Sequence, residues 1–160
     1  MPTRNITLIA SIAALYVLLT INPLFFVFSY GAIQFRISEM LTVLPYLTPY
    51  AIPGLFIGTF IANLFSTNGG IDVIVGSLAT LLAGWLTYKM PNRWLAPLPP
   101  VIINAILIGC MIGFISSSIE QIPFFMLYVG IGELAVCYLL GLPFLIFLEK
   151  YKHIIFKRNN

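Results

Sequence analysis

The chain has 160 residues, of which 60% are hydrophobic and 8% charged, and its formal net charge is +3. A soluble domain carries roughly 25% charged residues to cover its surface, so these few charges, with a mean hydropathy of +1.02, exclude a water-facing globule. The basic residues sit at the ends of apolar segments with no aromatic-interleaved stripe, which excludes a nucleic-acid surface.

The first apolar run, about 6–28, is longer than the core of a secretory signal and ends without a small-residue cleavage site, so it reads as a retained membrane helix. It carries Ala10, Ser11, Ala13 and Ala14. Ala10 and Ala14 are four apart on one face, a spacing that lets another helix approach closely or serves ordinary packing. The loop that follows is aromatic, with Phe25, Phe26, Phe28, Tyr30 and Phe35. Such a loop is either an interfacial belt or a lid that stacks on a planar ligand.

The stretch 31–66 is apolar but contains Arg36, Glu39, Pro45, Pro49 and Pro53. Its crossings follow from parity. Lys and Arg at helix ends gather on the cytoplasmic side, and they occur at Arg4, at Lys89 with Arg93, and in the C-terminal tail. Placing all three on one side requires an even number of crossings between Arg4 and Lys89. The stretch therefore supplies two helices, about 31–47 and 49–66, with a re-entrant pair as the alternative. Three further helices follow at about 71–90, 98–117 and 123–149. The expected fold is an all-α integral membrane protein, one domain over 1–160 with six transmembrane helices and both termini cytoplasmic.

Ionisable residues within membrane helices are costly and mark sites, pathways or pairs. Here they are Arg36 and Glu39 near the outer end of helix 2, Asp72 at the start of helix 4 and Glu133 in helix 6. Asn63 and Asn104 join them in helices 3 and 5, while Glu120 and Gln121 lie in the last outer loop. At 1.5 Å of rise per residue, Glu133 and Asn104 fall at roughly similar depth near mid-membrane. The set outlines a cavity that opens outward and ends at Glu133. Arg36 and Glu39, three apart, alternatively pair with each other. Asp72 alternatively caps its helix, and Asn104 alternatively bridges helices. The cysteines Cys110 and Cys137 have no metal or disulfide spacing and read as core or lipid-facing residues. The single histidine, His153, lies in a basic tail with Lys150, Lys152, Lys157 and Arg158 that suits anionic lipid. A metal site and histidine-based catalysis are not expected.

Several blocks in order carry a family resemblance: FRISEMLTVLP from Phe35, AIPGLFIG from Ala51, ANL from Ala62, GSLATLLA from Gly76 and LAPLPPV from Leu95. Over about 6–148 the chain resembles the QueT family, substrate-binding S-components of energy-coupling-factor importers in bacterial plasma membranes. The resemblance implies the S-component fold and capture of a queuosine precursor, 7-aminomethyl-7-deazaguanine. Substrate contacts would come from Glu133, Glu39, Asp72, Asn104, Asn63, Arg36 and Phe35. Partners would be a membrane-embedded T-component and two ATPase subunits, with docking through Ala10, Ser11 and Ala14 of helix 1. Ser11 and Ile12 interrupt the alanine-rich family pattern there. No cofactor is expected, and the chain has no phosphate-binding Gly-rich loop with Lys to hydrolyse ATP itself. Other readings are an S-component for a different purine-like or vitamin-like solute, or a small intramembrane enzyme using Glu133.

Overall fold

The computed structural model describes residues 3–22, 35–66 and 69–152. Among them are six apolar helical segments, each started or stopped by a readable local signal. α1 spans Thr3–Ile21, not the expected 6–28. It stops ahead of Asn22 and Pro23, because the residue before a proline is pushed out of the helical region. The rest of the expected helix 1 and the aromatics Phe25, Phe26, Phe28 and Tyr30 lie outside the described residues.

α2, Ile37–Tyr46, departs most from expectation. It is wound as a 3-10 helix of 10 residues, where an α-helix over 31–47 was expected. Residues 31–34 lie outside the described residues, and Arg36 is extended, at φ −95° and ψ 109°. Pro45 within the segment donates no backbone bond, and Thr42 Oγ1 donates back to the Glu39 carbonyl at 2.6 Å. The 3-10 winding stacks side chains three apart, so Glu39 and Thr42 project along one line.

α3 covers Ala51–Asn63, with Pro53 in its first turn, and is shorter than the expected 49–66. At ~2.0 Å and ~1.5 Å of rise per residue, α2 and α3 are each about 20 Å long, less than a hydrocarbon core of ~30 Å. Gly69, at φ +70°, takes a left-handed conformation open to glycine and leads into α4, Gly70–Tyr88. α5 is Leu98–Ile115, opened by Pro99 and Pro100. α6 runs from Ile119 to Lys150 as one rod of 32 residues. Its middle, Ala135–Gly141, is a π-helical turn that ends two residues before Pro143. α1, α4, α5 and α6 are each long and apolar enough to cross a membrane. The chain is a multi-pass membrane protein.

Contacts give the direction of each helix. Gly54 lies against Ile9 and Ile12, and Gly58 against Ala13 and Tyr16, so α3 runs parallel to α1. Tyr16 meets Glu39 and Thr20 meets Ser38, so α2 runs back along α1. Asn63 reaches Asp72, Thr59 reaches Thr80 and Ile52 lies by Gly84, so α4 is antiparallel to α3. Asn104 meets Glu133 and Gly109 meets Met126, so α6 is antiparallel to α5. The start of α1, the turn after α4 and the end of α6 thus share one end of the bundle, tied there by Arg93 to Glu149 at 3.1 Å. The basic stations Arg4, Lys89, Arg93 and Lys150 all lie at that end.

The bundle is apolar outside and polar within. Leu18, Ile74, Leu139 and Phe147 are exposed, whereas Arg36, Glu39, Asp72, Asn104 and Glu133 are buried. That inversion is what lipid on the outside and a polar interior require. Glycines bring the helix pairs together. A Cβ on Gly58 would stand 2.8 Å from the Tyr16 Cβ, and one on Gly109 would stand 2.6 Å from the Met126 Cα. At Gly109 the obstacle is backbone, so the helices themselves must part. Gly109→Val is expected to destabilise by about 2–4 kcal/mol, at or above the usual range for overpacking. Thermal unfolding in detergent checks this, and an unchanged midpoint would show that α5 and α6 do not depend on this close approach.

Candidate functional site

The interior polar groups come from all six helices, and each is aimed inward by its position in the turn. On α6, Glu133 is buried and follows Gly132. Its Oε1 accepts a hydrogen bond from Asn104 Nδ2 of α5 at 2.8 Å. Four residues on, one helical turn away, Cys137 Sγ donates to Glu133 Oε2 at 3.6 Å. The same sulfur lies 3.7 Å from the Glu39 carbonyl and 3.7 Å from Thr42 Oγ1. Cys137 is fully buried and forms the seam between α2 and α6, so it is neither lipid-facing nor simple apolar filler. Cys110 is partly buried.

Glu39 projects from α2 into the same space, and its Oε1 accepts a hydrogen bond from the Tyr16 hydroxyl of α1. Cys137 touches both residues, Glu133 at its carboxyl and Glu39 at its carbonyl, and so brings the two acids into one neighbourhood. Glu39 Oε2 is buried and completes no hydrogen bond with any described residue. An unsatisfied charged acceptor in a low-dielectric interior costs at least about 1–3 kcal/mol. A ligand that brings a donor removes that cost.

A second group lies at the end of the bundle where α3 turns into α4. Arg36 Nη1 donates to Asn63 Oδ1 at 3.0 Å, and Asn63 Nδ2 donates to the Asp72 carbonyl oxygen at 2.9 Å. Ser66 Oγ donates to Asp72 Oδ2. Asp72 lies in the first turn of α4, where an acid suits the helix N-terminus. Arg36 joins the two groups, because its side chain bonds Asn63 while its backbone carbonyl accepts from the Glu39 N–H at 3.0 Å. Phe35 is half-buried beside it. Glu120 and Gln121, in the turn that opens α6, are exposed.

Several polar residues of this interior were not singled out from sequence. Tyr16 and Thr42 looked like parts of apolar runs. Thr59 Oγ1 donates to Thr80 Oγ1 at 3.2 Å, crossing from α3 to α4. Ser77 Oγ on α4 is buried with no hydrogen-bond partner among the described residues. The signal for the α4 pair was present in the spacing, since Ser77 and Thr80 are three apart and share a face with Gly76 and Ala83.

The proposed docking residues are placed differently. Ala10, Ser11 and Ala14 are all exposed, while Ala13, between them in sequence, is buried. The close helix approach within the bundle uses Ile12, Ala13 and Tyr16 against Gly54 and Gly58, and it leaves the Ala10–Ala14 face uncovered.

Comparison with known proteins gives two matches. The family described as QueT transporter matches residues 6–150. A protein of Lactococcus lactis subsp. cremoris (strain MG1363), "Queuosine precursor transporter QueT", is 46% identical over 80 residues, covering 50% of this chain and 47% of that protein. The chain thus aligns with about half the length of that relative. No solved structure matches.

Proposed function

Because this chain belongs to the QueT transporter family, we propose that it is the substrate-binding S-component of an energy-coupling-factor importer and captures 7-aminomethyl-7-deazaguanine. On this reading the basic end of the bundle is cytoplasmic, and a T-component with two ATPase subunits supplies the energy. The carrying observation is the convergence of Glu39 and Glu133 on Cys137 in an interior that also buries Arg36, with Glu39 Oε2 buried and open to a donor.

The ligand chemistry complements that pairing. Its guanine-like edge offers a ring N–H and an exocyclic amine, two donors that a single carboxylate accepts. Glu133, held by Asn104 at 2.8 Å, is suited to that edge. The aminomethyl arm is a cation near neutral pH and favours a second acid. Glu39 shares the Cys137 neighbourhood with Glu133 and suits that arm, whereas Asp72 belongs to the Ser66 and Asn63 group. Two carboxyls against one Arg36 favour a ligand that brings positive charge. Phe35, half-buried next to Arg36, provides a ring at the margin of the site.

The test is titration of the purified protein with 7-aminomethyl-7-deazaguanine, 7-cyano-7-deazaguanine and guanine. The expected order places the aminomethyl compound tightest, because the other two lack the cation. If none binds below the micromolar range, the substrate assignment fails. If the nitrile binds tightest, the charge argument fails.

A further inference from the structure

We infer that Tyr16 of α1 is a positioning residue of the ligand site, holding Glu39 so that its second oxygen is presented to the cationic arm of the ligand. The inference rests on the ligand reading above and extends it to a residue in a helix that otherwise looks purely apolar.

Tyr16 is fully buried, at 0% exposure. A phenol hydroxyl inside a bundle needs a partner, and this one donates to Glu39 Oε1. The ring has little freedom to move. A Cβ at Gly58 would meet the Tyr16 Cβ at 2.8 Å, so the α3 backbone lies directly against it. The Tyr16 carbonyl accepts from Thr20 Oγ1 at 2.8 Å, and Thr20 Oγ1 also meets Ser38 Oγ at 2.6 Å. α1 is thus clasped to α2 beside Glu39. A glutamate has three side-chain torsions, and the Tyr16 bond fixes where its carboxyl group lies. With Oε1 engaged, Oε2 is left buried and without a hydrogen bond from any described residue. An acceptor held open in this way favours a ligand carrying a donor at that point, and a charged donor most.

The experiment compares 7-aminomethyl-7-deazaguanine with 7-cyano-7-deazaguanine as probes, on wild type, Tyr16→Phe, Glu39→Gln and the double variant. Tyr16→Phe should weaken binding of the aminomethyl compound by about tenfold, the worth of a hydrogen bond to a charged group. Binding of the nitrile should change little. In the Glu39→Gln background the same change should cost nothing further, because its target is gone. Thr20→Val, which breaks the Ser38 contact without touching Glu39, should lower the thermal midpoint and keep the ratio of the two affinities. Equal loss on both ligands, or losses that add in the double variant, would reduce Tyr16 to a packing residue and overturn the inference alone. Wild-type protein that binds neither ligand overturns the functional reading and this inference with it.

Discussion

Glu133→Gln is expected to weaken binding of 7-aminomethyl-7-deazaguanine by at least about tenfold, and toward a hundredfold if both of its oxygens serve the ligand. The carboxylate accepts on both oxygens, from Asn104 at one and from Cys137 at the other. An amide has one acceptor and one NH2. Turned so that its oxygen keeps the Asn104 bond, it presents NH2 to Cys137 and to the donors of the ligand edge. Turned the other way, it sets NH2 against the Asn104 NH2. Either orientation buries a donor facing a donor, which costs more than the loss of a single bond. The size of the residue is unchanged, so the fold should persist, and the thermal midpoint measured beside the titration separates the two effects. Unchanged affinity would make Glu133 a structural partner of Asn104 and nothing more.

Ala14→Leu should leave binding intact and abolish uptake. Ala14 is exposed on α1, and the residues that seat α1 in the bundle, Ile12, Ala13 and Tyr16, are buried. A larger side chain at position 14 meets no part of this chain's interior. It does occupy the surface through which a T-component helix would pack, where small residues permit close backbone approach. Uptake of labelled ligand by cells carrying the whole importer, set against binding by the isolated protein, gives the answer. Full uptake with Ala14→Leu would remove this face of α1 from consideration as the docking surface.

The membrane character and the set of inward-facing polar groups were legible in the sequence for one physical reason. A charge inside an apolar run is expensive, so Arg36, Glu39, Asp72 and Glu133 stand out wherever helix boundaries fall. Parity of the basic residues gave two segments within 31–66, and the contacts run α2 back along α1 before α3 rises parallel to it. The winding of α2 was not legible. Its apolar composition suits either helix type, and the 3-10 form depends on how Pro45 is accommodated against α4 and the Thr42 hydroxyl against α6. The π turn of α6 was hidden for a similar reason, since Gly141 and Pro143 signal an irregularity but not its kind. The length of α3 was overestimated because hydrophobicity continues past Asn63, where the helix ends. Tyr16 was missed because an aromatic within an apolar run gives no sign of which face it occupies until the neighbouring helix is placed.

The clasp at Tyr16 has a consequence for how far information must travel. Residues 14 and 16 are two apart on α1, and so point roughly 200° away from each other around the helix axis. Ala14 is exposed at the bundle surface, while Tyr16 bonds a carboxylate of the interior. The interior and the outer surface are therefore separated by one helix thickness, about 10 Å. No relay of side chains is needed across that distance. A small roll of α1 would register at both of its faces at once.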